Sequence, residues 1–374
     1  MTDLEQILEL WKALRTSGAE YVLATVVKVE GSGYRKPGAR MLIAADGRRA
    51  GTISGGCLEG EVVRKAFWRT ENGPVVQRYS TNPEDGEVPY GMGCGGVIHL
   101  LLERSKTAHA MLEQLSASFA NRLPLTITTI LDGEWIGLRG FWPADTHGDA
   151  STPIAKTLSD LARTAFSEEP SFVGNTHLRS EEGLAVCVER IATRPGLFVF
   201  GAGDDAIPLV RLARQLGWYV VVADGRSHLV TRTRFPEAHE VHVLTAGQYL
   251  SLRPLPTDVA AVMTHSIEQD TRILRELLSY NLAYIGVLGP LHRTYDMLHS
   301  LARDAQLPRS RVSSQVEQWM ETLHAPMGLD LGGSNPMDIA FSVIAEIRQT
   351  IYQTSGLPLR ELRARTREIQ KITA

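Results

Sequence analysis

Three groups of residues in this chain combine the types and spacing from which chemistry is built. The first is Gly201-Ala-Gly-Asp-Asp-Ala206. It follows an apolar run that reads as a strand and precedes helical periodicity at Ile207, Val210, Leu212 and Ala213. G-x-G-x-x-A at such a turn suits a dinucleotide. Gly201 permits the tight turn, Gly203 lets the backbone approach a pyrophosphate, and the helix N-terminus offers free N–H groups and partial positive charge. Asp224 ends the next strand, 23 residues after Gly201, where a carboxylate can take up a ribose hydroxyl. Asp204 and Asp205 place negative charge where phosphates would lie, so a Rossmann fold with an empty or repurposed site competes with the nucleotide reading. Thr264-His265-Ser266 stands just beyond a strand at Val259–Met263, with Asp270 one helical turn further. That edge of a doubly wound sheet is where ligands bind; a capping role for His265 explains it equally well.

The second group is built on cysteine. Cys57 follows Ser54-Gly55-Gly56 and is expected in the first turn of a helix that carries Leu58, Val62, Val63, Ala66 and Phe67. A helix N-terminus favours the thiolate, and the backbone of Gly55 and Gly56 suits an anion. Cys94 lies within Gly91-Met-Gly-Cys-Gly-Gly96, open to close approach by a ligand. The bland alternative is a small buried apolar residue, and for Cys187, within Leu-Ala-Val-Cys-Val, that reading is preferred. The third group is the loop Gly31-Ser-Gly-Tyr-Arg-Lys-Pro-Gly38. Gly31 and Gly33 free its backbone, and Arg35, Lys36 and Arg40 could neutralise a phosphate-bearing ligand; a solvated basic turn is the alternative.

These residues must be held by elements that the periodicity predicts. Leu4, Ile7, Leu8, Trp11 and Leu14 form one helical stripe. Strands follow at Tyr21–Val29, Arg40–Ala44 and Val97–Leu102, so residues 1–105 read as an α+β unit around three glycine-rich loops. A helix near 107–120, strands at Leu125–Leu131 and Trp135–Phe141, a further helix and a strand at Leu184–Ile191 continue it. From residue 196, strands at Leu197–Phe200, Tyr219–Ala223, Val241–Leu244, Val259–Met263 and Tyr284–Leu288 alternate with helical segments, which predicts a parallel doubly wound sheet. Gly328-Leu-Asp-Leu-Gly-Gly333 leads to Asn335-Pro336, an N-cap with proline at the first helical position. The expected fold is α/β: an N-terminal α+β domain over 1–195, with 106–195 a candidate sub-domain, and a C-terminal Rossmann-like domain over 196–374.

Composition agrees. The chain has 374 residues and 43% hydrophobic side chains, enough for two or three domains with full cores. A net charge of −3 disfavours a dedicated nucleic-acid binder. No apolar run approaches the roughly 20 residues that span a bilayer, and the N-terminus lacks a basic segment followed by an apolar one. Three cysteines with no C-x-x-C pair argue against a disulfide framework or a zinc cage. A reducing cytoplasm is the expected location.

Taken together, GSGYRKPGARMLIAADGRRAGTISGGCLEG (31–60), GMGCGG (91–96), LFVFGAG (197–203), AVMTHS with Asp270, YIGVLGP (284–290) and APMGLDLGG (325–333) before NPMDIAFSVIAEI (335–347) resemble the XdhC/CoxI family across nearly the whole chain. Where members often carry His after the GxG, an acidic residue after the strand-end His, and two acids in the last helix, this chain has Asp204, Ser266 and Met337-Asp338. The resemblance implies a factor that binds the finished molybdopterin-type molybdenum cofactor, holds it during sulfuration by a cysteine desulfurase, and inserts it into an apo molybdenum hydroxylase of the xanthine dehydrogenase type. On it, Cys57 is the candidate molybdenum contact, Cys94 a second sulfur-handling residue, and a homodimer is expected. Two other classes stay open: an NAD(P)-dependent oxidoreductase using Asp224 and the GxG loop with His265 as acid or base, and a Rossmann-type nucleotide sensor.

Overall fold

The computed structural model describes residues 2–31, 33–56, 58–80, 96–143, 153–168, 174–179, 183–244 and 247–362. Contacts divide the chain into two units, Met1–Arg194 and Pro195–Ala374.

The first unit opens with helix α1 (Asp3–Ser17), started by a capping box in which Thr2 and Glu5 exchange side-chain and backbone hydrogen bonds. Strands β1 (Tyr21–Glu30), β2 (Arg40–Ala44), β3 (Arg49–Gly51), β4 (Val75–Ser80) and β5 (Val97–Arg104) form an antiparallel sheet in the order β3-β2-β1-β5-β4. Period-two alternation along β1 feeds two cores. Tyr21 and Leu23 pack with Trp11, Leu14 and Leu112, the last in helix α3 (Ser105–Asn121). Val22, Ala24 and Val26 pack with Val62 and Ala66 of helix α2 (Glu59–Arg69). A second antiparallel sheet, in the order β7-β6-β9-β8, comprises β6 (Leu125–Ile130), β7 (Arg139–Trp142), β8 (Gly174–Arg179) and β9 (Ala185–Ile191). Helix α4 (Pro153–Glu168) covers it through Leu158 against Ile130, Val186 and Val188. Leu125, Ile127 and Phe141 of this sheet share the core of α1 and α3.

The second unit is the expected parallel sheet. Strands β10 (Gly196–Phe200), β11 (Tyr219–Asp224), β12 (Glu240–Val243), β13 (Val259–Val262) and β14 (Tyr284–Val287) pair in the order β12-β11-β10-β13-β14. Leu197 and Val199 face the core shared with helices α5 (Ala206–Gln215) and α9 (Pro336–Ile351). Phe198 and Phe200 face the core of α6 (Ile267–Leu277), α7 (Leu291–Asp304) and α8 (Arg309–Glu321). Strands buried on both faces require continuous apolar runs, which is why this half was the more legible. Among the described residues no helix is long and apolar enough to cross a membrane.

Three expectations shift. The strand expected at Trp135–Phe141 begins only at Arg139, because Gly133–Trp135 forms a 3-10 turn and Gly137 takes φ +85°. Strands β3, β4 and β8 went unread; β3 has three residues, and β4 and β8 are short edge strands of six, too brief or too polar for a period-two signal. Helix α2 opens at Glu59 with Leu58 as its N-cap, two residues later than the start expected near residue 57.

The two sheets of the first unit are tied by a buried ion pair: Arg139 Nη1 donates to Glu103 Oε1 at 2.8 Å, with the side chains 4% and 0% exposed. Glu103→Ala strands the guanidinium and is expected to cost about 3–5 kcal/mol in chemical denaturation of the full chain. The double change Glu103→Leu with Arg139→Met should recover most of that loss.

Candidate functional site

At the carboxyl edge of the parallel sheet the G-x-G turn is shaped by its neighbours. Gly201 has φ +134°, and a Cβ there would lie 2.4 Å from Met263 O. The first glycine is therefore required because the turn leaving β10 passes against the backbone that leaves its parallel neighbour β13. A Cβ at Gly203 would lie 2.5 Å from Asp205 Oδ1, so the second glycine makes room for that carboxylate. Asp205 Oδ2 lies 2.8 Å from His265 Nε2, and His265 holds the left-handed conformation with φ +64°. Its imidazole is largely exposed. Asp204 Oδ1 accepts from Arg234 Nη2 at 2.7 Å.

Asp224 is buried, and donors engage both its oxygens. Oδ2 accepts from Ala202 N (2.8 Å) and Arg226 Nη2 (2.7 Å); Oδ1 accepts from Arg226 N (2.8 Å) and Nε (3.0 Å). Burial pushes this carboxyl up, but the guanidinium of Arg226 and the two backbone N–H groups outweigh it and hold the pKa below the usual carboxylate range. With its acceptor sites filled, Asp224 ties the G-x-G loop to the sheet. Asp270, also fully buried, accepts from Thr264 Oγ1 (2.6 Å) and Arg293 Nη2 (2.5 Å). The turn at His265 is thus fixed from below, and Ser266 caps α6 by accepting from Gln269 N. Arg226, Arg293 and the Asp205–His265 pair were not foreseen; the Asp224-Gly-Arg226 sequence was the available signal for the first.

The glycine loops of the first unit have their own anchors. Arg35 forms an ion pair with Asp3, and its Nε donates to Thr52 Oγ1 at 2.8 Å. Arg40 is buried, pairs with Glu189 of β9, and donates from Nη1 to Gly38 O at 2.8 Å. These two arginines line a cleft of about 350 Å³ with Asp3, Ile7, Leu115 and Glu189. Their charges are matched by acids of the fold, so they position the loop. Lys36 is exposed, and no described residue forms an ion pair with it. Gly31 follows the last residue of β1 with φ +72°. Gly33 lies where a Cβ would meet Val29 Cγ1 at 2.6 Å.

The loop 53–56 is organised by a residue that sequence reasoning missed. Glu59, 1% exposed, accepts from Ile53 N (3.2 Å), Ser54 N (2.9 Å) and Ser54 Oγ (2.5 Å). Ser54 Oγ in turn accepts from Gly56 N and Leu58 N, each at 3.2 Å. Burial raises the Glu59 carboxyl, but these donors bring its pKa below the usual range. An acid in a helix's first turn is ordinary in sequence, so Glu59 left no distinguishing signal there. Cys57, Cys94 and the loop 91–95 lie outside the described residues. Cys187 is buried in β9, as expected for a core thiol. Among the described residues no three His, Cys, Asp or Glu side chains gather as metal ligands.

Two family models match the chain: XdhC and CoxI family over residues 14–80, and XdhC Rossmann domain over 197–347. A protein of Bacillus subtilis (strain 168), named as a probable subunit of xanthine dehydrogenase, is 33% identical over 90% of this chain and 95% of its own. The chain belongs to the XdhC and CoxI family. Within it, the molybdenum cofactor insertion chaperone PaoD of Escherichia coli (strain K12) is 33% identical over 92% of this chain and 88% of its own. A crystal structure of a xanthine dehydrogenase from Bacillus halodurans superposes with a TM-score of 0.70 at 27% identity, covering 94% of this chain and 96% of that one. This XdhC/CoxI chain thus shares its fold with that structure and aligns with both relatives over most of their length.

Two outcomes test the edge of the Rossmann sheet. Gly201→Ala combines an unfavourable φ with a clash against backbone and is expected to cost about 3 kcal/mol or more, whereas Gly247→Ala, at φ +86° with open space around it, should cost only about 1–2 kcal/mol. Urea denaturation compares the two. A carboxyl whose folded pKa is depressed stabilises the fold above its unfolded value of about 3.9, and that contribution disappears as pH falls through the folded pKa. Arg226→Leu removes the largest lowering partner of Asp224. The acid limb of its stability curve should therefore begin at higher pH than in the wild type, as a pH series of thermal melts would show.

Proposed function

We infer that this chain is a maturation factor which holds the molybdenum cofactor as cargo and delivers it to an apo molybdenum hydroxylase of the xanthine dehydrogenase type. The observation that carries the reading is the relationship, over nearly the full length of both chains, to a protein named as a molybdenum cofactor insertion chaperone. The chemistry of the first unit suits such cargo. Molybdopterin is an anionic pterin, and the loops 33–38 and 53–56 offer it Lys36 and exposed glycine backbone at Gly55 and Gly56. Gly31, Gly33, Arg35 and Arg40 act on this cargo through the loop they hold.

Cys57 follows Gly56 directly and is the thiol assigned to the molybdenum end of the cargo, since soft thiolate ligands suit such a metal. Cys94, in its own glycine-rich segment, is assigned to handling of the terminal sulfur, for which a cysteine desulfurase is the donor. At the Rossmann edge, Gly201, Gly203 and His265 are assigned to a nucleotide, in turns that the buried Asp224 and Asp270 hold from within. The factor works as a homodimer in the cytoplasm. An NAD(P)-dependent oxidoreductase is the weaker reading, because both oxygens of Asp224 are already engaged by Arg226 and the G-x-G backbone.

Mass spectrometry of small molecules released by denaturing the purified chain tests this reading: a molybdopterin species is expected, and a nicotinamide dinucleotide in its place overturns it. Cys57→Ser is expected to leave folding intact and to reduce both retained pterin and activation of the apo-hydroxylase by about tenfold or more. Full loading and full activation by that variant would remove Cys57 from the mechanism.

A further inference from the structure

Tyr34 is the most exposed large apolar side chain among those described, at 74%. A single exposed aromatic is ordinary on a protein surface; the way this one is held is not. A Cβ built on Gly55 would lie 3.4 Å from Tyr34 Cγ, 3.5 Å from Cδ1 and 3.7 Å from Cδ2. Three ring atoms at nearly equal distance mean that the ring lies flat over the Gly55 backbone. One face of the ring is thus covered by a neighbouring glycine loop, and the opposite face is open.

Both sides of this contact are anchored. The Gly55 loop is held from beneath by Glu59, through Ile53 N, Ser54 N and Ser54 Oγ. The loop that carries Tyr34 is fastened at the next residue, where Arg35 Nε donates to Thr52 Oγ1 at 2.8 Å, and again where Gly38 N donates to Val26 O at 2.8 Å. The aromatic plane therefore has little freedom to lose when a ligand arrives. Two residues further along, Lys36 is exposed and has no ion-pair partner among the described residues. An anchored loop that carries an exposed π-face and, two residues on, an exposed ammonium suits a flat heteroaromatic ring that bears an anionic arm, by stacking and charge together.

We propose that Tyr34 is the stacking platform for the pterin ring of the cargo, with its inner face backed by the Gly55 loop. This rests on the molybdenum-cofactor reading above and adds to it the group that orients the heterocycle, with Lys36 taking the phosphate end. Tyr34 is a binding residue in this scheme; no bond is made or broken at it.

The test compares the full chain with Tyr34→Leu, Tyr34→Phe and Tyr34→Trp, each incubated with cofactor freshly released from a molybdoenzyme. Bound cofactor is quantified by fluorescence after oxidation. Loss of the stacking face should weaken retention about tenfold in Tyr34→Leu, while Tyr34→Phe and Tyr34→Trp keep it within about threefold. Tyr34→Trp adds a signature that a packing role would not produce, a quenching of the new indole emission on cofactor binding. Equal retention by wild type and Tyr34→Leu, or loss in all three variants with unchanged thermal melts, overturns the platform and leaves the cofactor reading standing. A wild-type chain that retains no cofactor overturns that reading, and the platform falls with it.

Discussion

A carboxylate withdrawn from water must find donors for its oxygens, because an unmatched buried charge costs several kcal/mol, and the glycine-bearing and strand-end turns of this protein are built on that requirement. Glu59 gathers the backbone of Ile53 and Ser54 and, through Ser54, that of Gly56 and Leu58. Asp224 holds the G-x-G turn by Ala202 N and takes Arg226 as its counter-ion. Asp270 does the same for the turn at Thr264 with Arg293. Glu346 of α9 accepts from Tyr284 Oη at 2.7 Å and Gly328 N at 2.7 Å, fastening the glycine turn that precedes its own helix. In each case an acid on a regular element immobilises a glycine-bearing or strand-end turn that has few apolar contacts of its own.

The same arrangement determines what the loops present outward. Acids and arginines that looked available for a ligand are turned to each other: Arg35 to Asp3, Arg40 to Glu189, Arg226 to Asp224. Along the loops 33–38 and 53–56, what remains toward solvent is glycine backbone, the ammonium of Lys36 and the exposed ring of Tyr34. At the Rossmann edge it is the imidazole of His265, held by Asp205 in a left-handed conformation that a non-glycine residue adopts only under constraint. Such surfaces suit holding an anionic, partly aromatic cargo, and rigid loops lower the ordering cost of doing so.

The chemistry-bearing segments were legible, but several of their roles were not. Spacing placed G-x-G, Asp224 and the His265 turn correctly at one sheet edge. It could not reveal that Gly201 answers to Met263 or that Asp224 faces inward, because those facts depend on β13 and on Arg226, and a strand-end acid reads the same whether it meets a ribose or a guanidinium. The basic cluster Arg35, Lys36, Arg40 was visible as charge; only the fold supplied Asp3 and Glu189, the latter 149 residues distant from Arg40. Glu59 was overlooked because an acid in a helix's first turn is ordinary, and its burial is a tertiary property.

By itself, then, the sequence determined the parallel half of this protein. Strands buried on both faces must be continuous apolar runs, and a turn that packs against a neighbouring strand's backbone must carry glycine, so the sequence of elements and their boundaries are written locally. It also determined that three glycine-rich segments exist and which of them carry thiols. The tertiary structure decided which charges cancel, since pairing joins residues from different elements and leaves no local pattern. It decided, too, which short strands form: β3, β4 and β8 are edge strands whose partners, not their own alternation, hold them in place.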